Sequence, residues 1–258
     1  MGKLIRIQAL AFNTIREAIR NKLLYTLLGF GILMIGSGVL ISTLSYVEID
    51  EILQDIGMGA IRFFSAGIAI FVGIGLIHGE VERRTIFTIL SKPVSRSEFL
   101  IGKFAGLTLT VWLQLGLMSM AFALVSWMAG APLGSGHLIA LLLIGLELMV
   151  LVAIATFFSA FTTPMLAALF TISFWLIGHL SRDLYALGQQ SEIESVTSAA
   201  AWIFRVLPDF EVFNKTLEAV HGLPIESHEV GMAFVYSIGY MICLLTLGSM
   251  IFSRRDFK

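Results

Sequence analysis

The sequence predicts an all-α integral membrane protein with six transmembrane helices, an amphipathic N-terminal interfacial helix and a cytoplasmic helix-turn-helix loop. Of its 258 residues, 57% are hydrophobic and 14% are charged. A soluble domain of that composition would expose large apolar patches and aggregate. The apolar residues also gather into stretches of about 20, the length that crosses a bilayer as a helix. We therefore expect residues 1–258 to form a single transmembrane domain.

Six stretches are long and apolar enough to span, or nearly so. The predicted spans cover about 23–47, 57–78, 104–129, 138–161, 165–181 and 231–252. Residues 182–230 are too polar to span, so we expect an outer segment of short helices that rest on the outer leaflet and cap the bundle.

The orientation follows from the basic residues, because Lys and Arg are retained on the cytoplasmic side. Five precede the first span, five lie between the second and third spans, and three lie at the C-terminus. The first-to-second loop carries only acidic charges, at Glu48, Asp50, Glu51 and Asp55. Both termini are therefore expected in the cytoplasm.

Residues 1–22 have the pattern of an amphipathic helix. At 100° per residue, one face is apolar and the other polar. The apolar face holds Leu4, Ile5, Ile7, Ala11, Phe12, Ile15, Ala18 and Ile19; the polar face holds Arg6, Asn13, Arg16, Glu17 and Arg20. Such a helix lies in the membrane interface, with its basic side toward anionic headgroups or a cytosolic partner.

Residues 79–103 form a charged segment between the second and third spans. The second span is expected to end near His78, which would place Glu80 and Glu82 in the first turns of a new helix. Lys92-Pro93 ends that helix, since proline lacks the backbone donor and restrains the residue before it. Ser95 and Glu98 then form a capping-box pattern that opens the helix leading into the third span.

This segment resembles the second-to-third loop of permeases of the type-2 ABC exporter family. That loop reads as an acidic start, a Thr, a Leu-rich turn, Pro-Val-Ser-Arg, an acidic residue and Gly-Lys. The matching residues are Glu80, Glu82, Thr85, Leu90, Lys92, Pro93, Val94, Ser95, Arg96, Glu98, Gly102 and Lys103. Many members have Gly where this chain has Arg84. On an exposed helix this difference would alter a contact and leave the architecture of the loop unchanged. The amphipathic N-terminus, the six spans and the long outer segment extend the resemblance over the whole chain.

The resemblance implies that this loop is a coupling helix that docks on a nucleotide-binding subunit. The residues that would mediate this contact are Glu80, Glu82, Arg83, Arg84, Thr85, Lys92, Pro93, Arg96, Glu98 and Lys103. The N-terminal helix would correspond to the family's connecting helix, which contributes to the same contact.

The implied function is that of the membrane subunit of an ATP-driven exporter in a bacterial inner membrane. Gly102-Lys103 is followed by Phe104 rather than Ser or Thr, so no phosphate-binding loop occurs there, and no enzymatic motif is recognised. ATP and Mg²⁺ are thus expected on a separate ATPase chain. A second permease chain, identical or related, completes the expected assembly. Neither a cofactor of this chain nor a nucleic-acid partner is expected, and the cargo is not encoded in any motif.

Three polar residues within or near the spans are further candidates. Glu147 lies midway along the fourth span, where a charge is costly, so it should face the bundle, a partner or a wet cavity. Its role is structural, as a hydrogen-bonded carboxyl that fixes helix packing, or it contributes to a substrate path. Arg62 is expected to snorkel toward the outer surface as an anchor. His179 belongs with Arg182 and Asp183 to an outer gate or a hydrated helix end.

Two other classes of function remain open from the residues. An ATP-independent channel or proton-coupled carrier could use Glu147 and Arg62, and a membrane scaffold would need neither. A metal site is not expected, since Cys243 is the one cysteine and the eleven methionines are scattered.

Overall fold

The computed structural model describes residues 3–43, 49–82, 95–191 and 193–254. These residues form nine α-helices and one short 3₁₀ helix, with no strand among them. The helices are α1 Lys3–Ile19, α2 Lys22–Ser42, α3 Ile49–Glu82, α4 Arg96–Ala129, α5 Ser135–Ser159, α6 Pro164–Gln189, α7 Glu194–Val206, α8 Thr216–Val220 and α9 Ser227–Arg254, and the 3₁₀ helix is Phe210–Phe213.

Six of these helices are long and apolar enough to cross a membrane, which confirms the predicted number of spans. The qualifying stretches are Lys22–Ser42, Ile49–Ile77, Ser97–Ala129, Ser135–Ser159, Pro164–Gln189 and Ser227–Phe252. The shortest predicted span, 165–181, belongs to a helix of 26 residues. The helix extends beyond the predicted apolar stretch, since Arg182, Asp183 and the residues up to Gln189 are also helical.

Both ends of α3 differ from the prediction. The helix begins at Ile49, so Asp50 and Glu51 lie in its first turn rather than in a loop. Acidic residues in the first turn are favourable there, because the helix start carries a partial positive charge. At the other end α3 continues unbroken to Glu82. The predicted break near His78 is therefore wrong, and Glu80 and Glu82 lie in the last turn of α3 instead of opening a new helix.

Helix α5 occupies the centre of the bundle. All residues from 150 to 156 are buried, and α3, α4, α6 and α9 all pack against it. A helix that is apolar on every side is stable only when it is covered on every side. The outer spans α2, α6 and α9 instead expose large apolar side chains, as expected where lipid supplies the cover.

The two ends of the bundle can be told apart by their contacts. At one end, Gln54 near the start of α3 hydrogen-bonds His137 near the start of α5 (Oε1 to Nε2, 3.0 Å), and Glu51 pairs with His221 after α8 (Oε2 to Nδ1, 3.1 Å). At the other end, Phe99 near the start of α4 stacks on Phe252 near the end of α9, with ring centroids 6.1 Å apart. Successive spans therefore alternate in direction, as six crossings require.

Helix α1 packs along the first turns of α4 through small residues. A Cβ atom added at Gly106 would lie 2.6 Å from the backbone oxygen of Ala11 and 2.6 Å from Cβ of Thr14. One added at Gly102 would lie 2.7 Å from Cβ of Leu10. Glycines four residues apart on one helix allow this close approach of two backbones.

The predicted apolar face of α1 divides into two. Ala11 and Ala18, with Thr14, are buried against α4, whereas the large apolar side chains Leu4, Ile5, Phe12 and Ile19 are exposed. The helix thus has a narrow small-residue face toward the protein and a wide apolar face without cover in the described chain.

This packing makes opposite predictions for two glycines of α4. Gly106→Ala should destabilise the protein by about 1–3 kcal/mol, because the new methyl group meets backbone that must move. Gly116→Ala should be neutral or stabilising by up to about 1 kcal/mol, since nothing lies within 4 Å and alanine favours a helix. Thermal unfolding of both variants in detergent measures the difference. Equal melting temperatures would contradict the close contact of α1 and α4.

Candidate functional site: a polar ring among three spans and the base of α4

Glu147 in α5 is fully buried and has three polar partners. Its Oε1 accepts hydrogen bonds from Nε1 of Trp175 (3.1 Å) and from Nε2 of His179 (3.0 Å), both on α6. Its Oε2 lies 3.3 Å from Nε of Arg62 on α3, an ion pair whose angle falls short of a hydrogen bond. A buried carboxylate requires such partners, because an unpaired one would be too costly.

Arg62 extends this contact to the outer segment. Its Nη1 donates to Oδ1 of Asn214 (2.5 Å) and its Nη2 to the backbone oxygen of Phe213 (3.4 Å). The Arg62 side chain is only 14% exposed. The expected snorkelling was therefore wrong: the guanidinium turns into the bundle, where it is paired with Glu147.

The contacts close into a ring of five side chains, Arg62, Glu147, His179, Glu211 and Asn214, which we call the polar ring. Asn214 Nδ2 donates to both carboxylate oxygens of Glu211, at 3.1 and 3.3 Å. Glu211 Oε1 lies 3.3 Å from Nδ1 of His179, whose Nε2 returns to Glu147. A neutral imidazole donates to one carboxylate only, whereas an imidazolium donates to both. With His179 protonated, two cations balance two anions.

The ring requires that part of the outer segment enters the bundle. Phe210 and Phe213 of the 3₁₀ helix are fully buried against α5, α6 and α9. Gly178 makes room for Phe210, since a Cβ atom there would lie 2.4 Å from the phenyl ring. Asp209 caps the 3₁₀ helix through Oδ1 and pairs through Oδ2 with Nε of Arg182 at 2.8 Å. Segments without regular helix are tolerated among membrane spans only where protein surrounds them.

The structure thus brings together all three intramembrane residues singled out from the sequence. Arg62, Glu147 and His179 share one ring, although their roles in transport stay predictions. Arg182 is not a member of the ring and pairs with Asp209 instead. Sequence reasoning missed Trp175, Glu211 and Asn214. Arg62 and Asn214 are 152 residues apart, so no spacing pattern could connect them.

The loop residues divide between described and undescribed parts of the chain. Arg83, Arg84, Thr85, Lys92 and Pro93, with the predicted turn, lie outside the described residues. Arg96 opens α4, and the predicted capping box is confirmed: Ser95 Oγ accepts from N of Glu98 (3.2 Å), and N of Ser95 donates to Glu98 Oε2 (3.0 Å).

Two predicted loop residues, Glu98 and Lys103, bind α1 instead of standing free. Arg6 Nη2 donates to Glu98 Oε1 at 2.8 Å. Lys103 is almost completely buried, and its Nζ lies 3.3 Å from Oε2 of Glu17. Together with the contacts of Gly102 and Gly106, these two ion pairs fix α1 to the base of α4, the end at which the 79–103 segment enters the bundle.

A separate apolar groove lies between α4, α5 and α9. It has a volume of about 720 Å³ and runs along α9 from Ser227 to Met241, with Trp112 and Leu146 on the opposite walls. Its lining residues carry no charge, and most of them offer dispersion contacts only. It can take an apolar group and has no charged partner for a polar one.

A comparison with protein families decides the class of the protein. The family described as "ABC-2 family transporter protein" matches residues 36–257, which include all of the polar ring and the base of α4. The chain belongs to this ABC-2 transporter family. It is therefore a membrane-embedded subunit of an ABC transporter, and membership implies an ABC ATPase partner. No curated protein matches the sequence of this ABC-2 permease.

The ring predicts a strong energetic coupling between Arg62 and Glu147. Arg62→Gln should destabilise the permease by about 3–5 kcal/mol, because it removes one of the two cations that balance the buried carboxylates of the ring. The double variant Arg62→Gln, Glu147→Gln should be more stable than Arg62→Gln alone. Chemical unfolding of the two single variants and the double variant in detergent gives the coupling. If the stability losses of the two single variants simply add in the double variant, the predicted interaction between Arg62 and Glu147 is contradicted.

Arg182→Gln is the matched control for Arg62→Gln. Arg182 also pairs with a carboxylate, but its side chain is 53% exposed, so its loss should cost at most about 1 kcal/mol. If Arg182→Gln destabilises the protein as much as Arg62→Gln, burial does not determine the stability that these ion pairs contribute.

The ring also predicts a pH dependence through Glu211. The hydrogen bond with His179 is the main cause that lowers the pKa of Glu211; partial burial opposes it, and Asn214 adds to it. Because the folded-state pKa lies below the unfolded value of about 4.3, ionised Glu211 stabilises the fold above that pH. The stabilisation is lost as pH falls through the lower folded-state pKa.

Glu211→Gln should therefore flatten the loss of stability between pH 7 and acid pH. Melting temperatures in detergent across this range measure the effect, with Glu194→Gln on exposed α7 as the control that keeps the wild-type slope. A Glu211→Gln profile that parallels the wild type would contradict the assignment.

Proposed function

We propose that this permease couples ATP hydrolysis by a separate nucleotide-binding subunit to export of a substrate across a bacterial cytoplasmic membrane. The observation that carries the proposal is the ABC-2 family match over residues 36–257, joined to a charged segment between α3 and α4 where the ATPase would dock. A second permease chain, the same or a relative, forms the other half of the pathway.

The direction of insertion rests on where the basic residues lie. Of the 17 Lys and Arg residues, five precede or begin α2, five lie between residues 83 and 103, and three lie from 254 to the C-terminus. Helix α1, the start of α4 and the end of α9 share one end of the bundle. The positive-inside rule supports a cytoplasmic location for that end and for both termini.

The close contacts and ion pairs between α1 and α4 support a lever-like coupling. Force applied to residues 83–94 would be transmitted to α4 through its capped first turn. It would be transmitted from α4 to α1 through the ion pairs Arg6–Glu98 and Glu17–Lys103. Helix α3 enters the same segment directly, since it continues to Glu82. The two spans flanking the loop, and α1 with them, then move together when the ATPase closes on ATP.

Helix α1 lies in the cytoplasmic interface of the membrane in this proposal. Its exposed large apolar side chains, Leu4, Ile5, Phe12 and Ile19, require cover that the described chain does not supply. Lipid at the headgroup boundary supplies it.

The proposal predicts a stable complex with an ABC ATPase that depends on the loop. The tagged chain, purified from native membranes in mild detergent, should retain an ATPase subunit. Arg83→Glu with Arg84→Glu should lose most of that subunit, because both charges reverse in the docking segment. Arg182→Glu with Arg205→Glu reverses the same number of charges in the outer segment and should leave the complex intact.

Quantitative mass spectrometry of the purified complexes measures the ratio of ATPase to permease. A wild-type chain that never retains an ATPase, or a complex indifferent to the Arg83 and Arg84 reversal, would overturn the proposal. The first result would favour an ATP-independent channel, carrier or scaffold.

A further inference from the structure

We propose that the corner between α1 and α2 is a binding site for anionic phospholipid headgroups, with Arg16, Arg20 and Lys22 as its cations. The proposal rests on the interfacial placement of α1 and adds to it the chemical class of lipid. It concerns a surface separate from the loop that docks the ATPase.

The cations are exposed and have no carboxylate of their own. Arg16, Arg20 and Lys22 are all exposed, and among the residues that the structure describes none of the three forms an ion pair. Glu17 is the one acidic residue of α1, and its carboxylate is turned toward Lys103. Arg6 differs from the three, since Glu98 neutralises it. Within the part of the chain that the structure describes, the positive charge of the corner is therefore not balanced.

The cations border the exposed apolar face of α1. Ile5, Phe12 and Ile19 are spaced by seven residues and so lie on one face of the helix. Arg16 and Arg20 are four residues apart and form the adjacent row. The guanidinium of Arg16 lies 5.4 Å from the ring centroid of Phe12, so it reaches along the apolar face rather than away from it. With Phe12 and Ile19 in the acyl region, Arg16 and Arg20 are level with phosphates.

Continuity with the spans favours lipid over a protein partner. The exposed apolar surface continues from Ile19 onto Leu23 and Tyr25 in the first turns of α2, which is itself a membrane span. A soluble subunit that covered Arg16 and Arg20 would have to displace lipid from the start of α2. An anionic headgroup matches the charge and leaves the apolar surface in the bilayer.

The test measures lipid preference directly. The full-length chain, in micelles with equal amounts of phosphatidylglycerol and phosphatidylcholine of the same acyl chains, is analysed by native mass spectrometry for the retained lipids. Wild type should retain phosphatidylglycerol preferentially. Arg16→Gln with Arg20→Gln should reduce that preference by about fivefold for each charge removed, the equivalent of about 1 kcal/mol per basic residue. Arg16→Lys with Arg20→Lys should restore most of it.

The matched control is Arg182→Gln with Arg205→Gln, which removes two charges from the outer segment and should leave the preference unchanged. An unchanged preference in Arg16→Gln with Arg20→Gln would overturn the proposal. Loss of the ATPase subunit from that variant, without a change in lipid preference, would also overturn it and would assign the surface to the protein partner.

A second measurement separates this proposal from the interfacial placement of α1. A nitroxide at position 12, in Phe12→Cys with Cys243→Ser, reports its exposure to oxygen in lipid against an aqueous nickel complex. A lipid-exposed label with no phosphatidylglycerol preference would overturn only the headgroup site. A water-exposed label would overturn the interfacial placement and the headgroup site with it.

Discussion

The ion pair between Arg62 and Glu147 is the interaction on which the half of the bundle around the polar ring depends. Neither charge could remain alone among apolar helices, and each needs more partners than the other supplies. Glu147 takes Trp175 and His179 from α6, and Arg62 takes Asn214 and the carbonyl of Phe213 from the outer segment. The pair thereby determines how α3, α5 and α6 meet and why the segment from Pro208 to Asn214 enters the bundle.

The opposite end of the bundle is held by a different combination. There, glycines let the backbones of α1 and α4 approach, and two ion pairs at the edge of that contact set the helix register. The residues engaged, Glu98 and Lys103, belong to the segment that family resemblance assigns to coupling. Their contacts with α1 support the proposal that this part of the segment acts through that helix.

The sequence predicted the features that depend on local composition. Six spans, the capping box at Ser95 and the helical N-terminus all follow from patterns within about 25 residues. Boundaries were less accurate where polar residues continue a helix, as at Asp50 and Glu51 in α3 and after Arg182 in α6. The polar ring was only half predicted. The cost of Glu147 in a span could be deduced from its position, but its partners could not, because Asn214 and Glu211 lie on a segment whose entry into the bundle leaves no periodic signal.

The central claim is that the segment between α3 and α4 docks on an ATPase while the segment between α6 and α9 faces the other side of the membrane. Site-specific photo-crosslinking in cells tests it most directly, with a benzophenone side chain in place of Thr85 or in place of exposed Leu223. The account predicts an adduct with an ABC ATPase from position 85 and none from position 223. An ATPase adduct from position 223, or none from position 85 in a complex that retains the ATPase, would contradict it.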